Sequence, residues 1–376
     1  MSRSFLKLLL ACISGVFAVT YYVEPAPVSP YSCTATQPCR IQDLPSSFTT
    51  ADQVVFLPKT TGQSSTYASG TKTFTNPSVV LSAGITFNAY TLNVQSATSV
   101  STASPVIFQS ASALNLISIG NAALDGATFT NSQLSTSNCG TIALTNSAVS
   151  GMTGTRKIQV AGNSVTVNTV SFTGGSTSVP ALIVQTGTAD STFDLSAITV
   201  SGCTTTGANS AILMQSINGK AFSASTDGLT FSNTVSGSAL FESKIAFNTN
   251  PSIFSCSVDI LSTSVTGGSV AKGVFFFNNG NNKGTLDALV ALTQTSGVSF
   301  NGNAIINLNA NTAAVNVNGW NMAADNNFCA STSQPYFAIC SGTTANANIL
   351  MNGNVEGSDS LLNCGPNSNV NMGNSC

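Results

Sequence analysis

The stretch Ile158-Gln-Val-Ala-Gly-Asn-Ser-Val-Thr-Val-Asn-Thr-Val-Ser-Phe-Thr-Gly174 sets β-branched residues at 158, 160, 165, 167 and 170 among small polar ones. Alternation at period two predicts strands with one buried and one wet face. The stretch ends on an apolar residue, a hydroxyl residue and glycine, and that ending recurs. It stands at Phe129-Thr-Asn131, Val149-Ser-Gly151, Phe172-Thr-Gly174, Val200-Ser-Gly202, Phe231-Ser-Asn233, Val265-Thr-Gly267 and Phe300-Asn-Gly302, spaced 20, 23, 28, 31, 34 and 35 residues apart. Apolar bursts follow several of these landmarks, at Ala181-Leu-Ile-Val184, Ala211-Ile-Leu-Met214, Ala239-Leu-Phe241 and Gly273-Val-Phe-Phe-Phe277. Each unit reads as two or three short strands joined by polar turns. Such units predict an all-β chain wound as a right-handed parallel β-helix, each coil stacked on the last. The alternative is an antiparallel β-sandwich, whose strands recur every 8–12 residues through hairpins. Drifting spacing and a single recurrent landmark favour the solenoid.

Composition agrees. Charged residues make up 6% of the chain against 42% hydrophobic, and histidine is absent. A quarter is the usual charged fraction. The apolar content argues against disorder, and the shortage of Glu, Lys, Arg and Gln argues against helices. With 11 basic residues against 13 acidic, nothing tracks a phosphate backbone, so nucleic acid is not an expected partner.

Arg3 and Lys7, an apolar run to Val19 and Val16-Phe-Ala18 form a secretory leader, residues 1–18. The run is too short to span a membrane comfortably, and no later stretch is long enough, so the mature chain is expected outside the cell with no transmembrane segment. Ten cysteines include Cys12 in the leader. The others cluster toward the ends, where disulfides tie down terminal segments of exported chains. Cys33, Cys39, Cys329, Cys340, Cys364 and Cys376 are the candidates; Cys33 and Cys39 are close enough for one small loop. An odd number remains, which leaves at least one thiol, at Cys139, Cys203 or Cys256, either buried and free or paired between chains. The expected organisation is an N-terminal cap over 19–60, rich in proline, a solenoid over 61–325 and a Cys-rich C-terminal cap over 326–376.

Cys33-Thr-Ala-Thr-Gln-Pro-Cys39-Arg-Ile-Gln-Asp-Leu44 and Ala51-Asp-Gln-Val-Val-Phe-Leu-Pro58 resemble the entry to a pectin-lyase-like β-helix. Phe231-Ser-Asn233 with Ser236-Gly-Ser-Ala-Leu-Phe241, and Phe300-Asn-Gly-Asn303, are similar to repeats of polymorphic outer-membrane and surface adhesin-type β-helices. The resemblance implies the solenoid fold over most of 21–325. It does not by itself carry a function.

Many β-helices act on polysaccharides, through carboxylate pairs about 5 to 9.5 Å apart or a basic residue. Asp125 and Asp227 each precede their landmark by four residues. The register predicts the same position four coils apart, about 19 Å at ~4.8 Å per coil. Both precede glycine, as turn residues do. Asp190 and Asp194 share a strand face about 13 Å apart, with no third acid in sequence to complete a calcium site. Arg156-Lys157 reads as a solvated turn. Nucleophile chemistry lacks histidine, and there is no CxxC, phosphate loop or dinucleotide motif. The expectation is no enzyme, no catalytic residue, no cofactor and no metal.

Two residues suggest contacts instead. Phe276 lies on the face opposite Phe275 and Phe277, either as an exposed patch or under a loop. Trp320 either stacks on a sugar or caps the core. Not one N-x-S/T acceptor occurs among 38 asparagines, since Asn76 and Asn250 precede proline. Bare, weakly charged walls favour lateral packing of copies, or packing on wall polysaccharide. The expected role is a secreted structural or surface-coat protein of a wall, spore, cyst or extracellular layer. A glycan-binding adhesive module is the alternative, and a polysaccharide lyase or hydrolase the second alternative.

Overall fold

The alternation becomes pairing. The computed structural model describes residues 18–25, 32–59, 65–217, 219–245, 254–279, 284–296, 298–300, 304–310, 314–322, 336–341, 345–355, 362–363 and 369–375; side chains are described to residue 317, apart from 294–296, 299–300 and 304. Its 34 strands belong to one sheet, and the only helix among the described residues is the 3-10 turn Ile41–Asp43. No helix among them is long and apolar enough to cross a membrane.

All described pairings are parallel, each between segments about one repeat apart, and most fall into three long ladders. The first joins Thr20–Gln53–Ser78, continues as Ser99–Asn121–Thr141–Ser164–Thr192–Ser223–Ser257–Asp287–Asn316–Asn346 after the pair Val79–Val100, and ends at residues 369–375. The second runs Tyr67–Phe87–Phe108–Phe129–Val149–Phe172–Val200–Phe231–Val265–Thr295. The third runs Leu92–Leu114–Leu134–Ile158–Leu182–Ile212–Phe241–Phe275–Ile306–Ala338–Leu362. An antiparallel sandwich is thereby excluded: each segment leads to a different ladder instead of folding back beside itself.

The landmark tripeptide has a physical cause. Its first residue points into the core, its second points outward, and its third turns the chain. Asn131, Gly151, Gly174, Gly202, Asn233 and Gly267 all take φ between 45° and 65°. Most L-residues resist that left-handed conformation, whereas Gly and Asn accept it. One landmark is out of place: Phe300 pairs with Val270, and the partner of Val265 is Thr295. Phe300 ends a short fourth ladder, Thr177–Thr205–Ser236–Val270–Phe300. The repeat there is 30 residues, and the 35-residue spacing came from a chance likeness.

The core is a single apolar cluster lined by all three ladders. Along the second ladder, Tyr67, Phe87, Phe108 and Phe129 form a stack with ring centroids 5.2, 4.9 and 5.0 Å apart. Each such buried ring contributes about 1.5–3 kcal/mol by removing apolar surface from water. The apolar bursts supply the third ladder, with Leu182, Ile212, Phe241 and Phe275 each 0% exposed.

Both end segments pair as well. Thr20–Val23 and Gln53–Phe56, within the 19–60 segment, begin the first ladder, and Tyr336–Ser341 and Ala345–Val355 extend two ladders into the tail. A disulfide joins Cys33 to Cys39, with Cα atoms 4.5 Å apart. It fastens the loop beside the first strand, where the Tyr22 amide donates to the Cys33 carbonyl and the Cys39 amide donates to that of Tyr22, both at 2.9 Å. Cys139, Cys203 and Cys256 are buried free thiols. Burial pushes Cys203 up to about 11 and Cys256 to about 12. Cys340 lies in a strand whose side chains are outside the described set; Cys329, Cys364, Cys376 and residues 1–17 lie outside the described residues.

Candidate functional surface

Three ladders present three outer faces of different chemistry. The first carries acids. Asp125, Thr145, Asn168, Ser196 and Asp227 are successive partners, so the two aspartates share one row four strands apart, about 19 Å at ~4.8 Å per strand. Thr145 and Asn146 each donate to Asp125 Oδ1 at 2.8 Å and hold its carboxyl below the usual range. Gly126 and Gly228 follow the two aspartates with φ 61° and 67°, so each acid sits at a corner.

Asp190 and Asp194 sit farther along this face. The Ala221 amide donates to Asp190 Oδ1 at 2.9 Å, at the edge of a shallow cleft of ≈360 Å³ that also takes in Ser191, Thr192, Phe222 and Ser223. Sequence reading missed the partner the fold gives Asp194. Asp194, Ser225 and Asp259 are successive rungs, which puts the two acids two strands or about 9.6 Å apart. Asp287 stands on the next strand, in the neighbouring row opposite Ser257, where the Asn316 side-chain amide donates to its Oδ1 at 2.7 Å. The Asp194–Asp259 row spans 65 residues of sequence, and pairing shows it directly. Asp194, Asp259 and Asp287 are exposed on an open strand face. Among the described residues, no three His, Cys, Asp or Glu side chains gather closely enough to hold a metal ion.

The third ladder's outer face is mixed. Ser210 donates to the carboxylate of Glu242 at 2.7 Å, and Glu242 is the partner of Phe276. Phe276 is 5% exposed, with the Lys272 ammonium 4.3 Å from its ring centroid. A ring so covered is not the open patch that one reading of the Phe275–Phe277 run allowed. Trp320 lies in the strand Val315–Met322, and its side chain is outside the described set. Near the N-terminal end, Glu24, Arg40, Thr66, Tyr67 and Tyr90 line a cleft of ≈280 Å³. The Tyr67 hydroxyl donates to the Val23 and Leu57 carbonyls, and burial pushes Tyr90 up to about 12.

The second ladder's outer face is the most regular. Its six central strands read Thr128-Phe-Thr130, Ala148-Val-Ser150, Ser171-Phe-Thr173, Thr199-Val-Ser201, Thr230-Phe-Ser232 and Ser264-Val-Thr266, in register. Twelve outward positions thus hold eleven hydroxyl residues and one alanine, none of them buried and none charged. Ser and Thr make up 100 of the 376 residues, so composition alone would place about three there. Neighbouring hydroxyls bond along the rows: Ser232 donates to Ser201 at 2.9 Å, and Thr130 lies 3.3 Å from Ser150. The landmarks already contained one of these rows; the other follows from the strand direction.

No family model, curated protein or solved structure matches the chain.

Proposed function

We propose that the chain is an exported, non-enzymatic structural or surface-coat protein, built as a right-handed parallel β-helix and able to pack side by side with its own copies. The observation that carries this reading is the continuity of the first ladder from the first described strand to the last, with the second and third ladders beside it around one core. Stacking about fourteen rungs at ~4.8 Å gives a stiff rod some 60 Å long. The right hand follows from the strong preference of parallel crossover connections. Low charge removes the repulsion that keeps most proteins apart, and bare asparagines leave the walls unshielded. A wall, spore, cyst or other extracellular layer is the setting such a rod suits. Electron microscopy of the purified protein tests this: rods that associate into filaments or sheets are expected, and a compact particle that stays monomeric at high concentration would count against it.

One observation favours polysaccharide hydrolysis as the competing reading. The ~9.6 Å between Asp194 and Asp259 borders the separation used by inverting glycosidases. Reducing-sugar release from plant, fungal or bacterial wall polysaccharide, abolished by Asp259→Asn, would establish it.

A further inference from the structure

We propose that the outer face of the second ladder binds ice. Neighbouring strands are about 4.8 Å apart, and residues two apart on a strand about 6.7 Å, so the hydroxyls form a rectangular net. The net spans six strands with one interruption, Ala148, and strand pairing fixes its register. A single dissolved ligand gains nothing from such repetition. A partner that engages every cell of the net must itself repeat in two dimensions.

Chemistry narrows the partner. With no acid or base among its twelve positions, the face gives a charged mineral or an anionic polymer nothing to pair with. It also lacks aromatic rings: in the second ladder Tyr67, Phe87, Phe108, Phe129, Phe172 and Phe231 all point inward. A crystalline polysaccharide would need such rings to stack on its sugars, since sugar hydroxyls otherwise exchange protein for water at little gain. What remains is a net of hydroxyls and threonine methyls over a stiff sheet. The prism face of hexagonal ice repeats its oxygens on a rectangular net of closely similar dimensions. Water held over the face at that spacing would join a growing crystal, and the stiffness of the sheet means that little ordering cost is left for binding. The inference rests on the rod reading only in needing this face open to the medium.

The test uses the full chain and slowly grown polycrystalline ice. The protein is expected to be incorporated into the ice at tenfold or more above a globular control protein, and to slow recrystallisation of fine-grained ice. Thr199→Tyr, in the middle of the net, is expected to cut incorporation about tenfold with an unchanged circular dichroism spectrum; Thr230→Lys serves as a second variant should the first not fold. Thr141→Tyr, exposed on the first ladder, should leave incorporation unchanged. Exclusion of the wild-type protein from ice overturns the proposal, as does equal loss in Thr141→Tyr or no loss in a folded net variant. Retention on cellulose or chitin with exclusion from ice would assign the face to polysaccharide instead. Rod association in the microscope is read separately, so either proposal can fail alone.

Discussion

Phe108 is the ring whose removal tests the packing most sharply. It is 0% exposed and stacked on both sides, 4.9 Å from Phe87 and 5.0 Å from Phe129, with interplanar angles of 10° and 8°. Truncation to alanine in a close-packed core costs about 3–5 kcal/mol, because the neighbours collapse only partly into the space. Two lost ring pairs, each worth about 0.5–1.5 kcal/mol beyond area burial, place Phe108→Ala toward the upper end of that range. Phe193→Ala is the comparison, since its ring stacks on Phe222 alone, at 5.3 Å, and its loss should sit toward the lower end. Repeat arrays open in parts, so the assay is native-state hydrogen exchange read segment by segment. Amides of residues 85–88, 106–109 and 127–130 should lose about two to three and a half decades of protection, at about 1.4 kcal/mol per decade. A loss below about 1 kcal/mol in these segments would refute the stacked column.

The corner rule predicts that Gly202→Asn is nearly neutral, because Asn131 and Asn233 hold the same conformation, whereas Gly202→Val costs about 1–2 kcal/mol; thermal denaturation distinguishes them. Alkylation of the native protein at pH 8 should leave Cys139, Cys203 and Cys256 unlabelled, with full labelling after unfolding, as peptide mass spectrometry would read. The raised thiols also fix the alkaline limb. The unfolded thiol ionises first, so stability holds below pH 9 and falls as pH climbs toward about 11 for Cys203 and 12 for Cys256; denaturation midpoints that stay flat over that window would contradict the burial. Replacing Cys33 and Cys39 by serine should cost about 2 kcal/mol of the stability of the first strands, measured as local hydrogen exchange.

Much of the fold was legible because one local rule repeats. An apolar residue, a hydroxyl and a glycine or asparagine encode core, surface and corner in three letters, and six of the seven landmarks fall on one ladder. Phe87 and Phe108 belong to the same column but escaped the rule, since Ala89 and Ser110 turn their corners without Gly or Asn. Phe300 obeyed the rule and still fell elsewhere, because the turn signal does not measure how long the following loop is. The Asp125–Asp227 register could be counted from the landmarks alone. The Asp194–Asp259 row obeys the same count, since each acid stands six residues before its landmark, Val200 or Val265, but neither carries a turn signal of its own to mark it. The two rows of hydroxyls lay in plain view along the landmarks, but only parallel pairing turns a list of tripeptides into a net.

The stacked, rod-like winding is tested most directly by distances along the first ladder. Spin labels at Ser257 and Thr141, four rungs apart, should give about 19 Å between backbone sites, and labels at Ser257 and Ser99, six rungs apart, about 29 Å. Pulsed electron paramagnetic resonance that finds the separation growing in proportion to the rung count, with narrow distributions, is the predicted result. Equal separations for the two pairs, or a longer distance for the pair with fewer rungs, would contradict it.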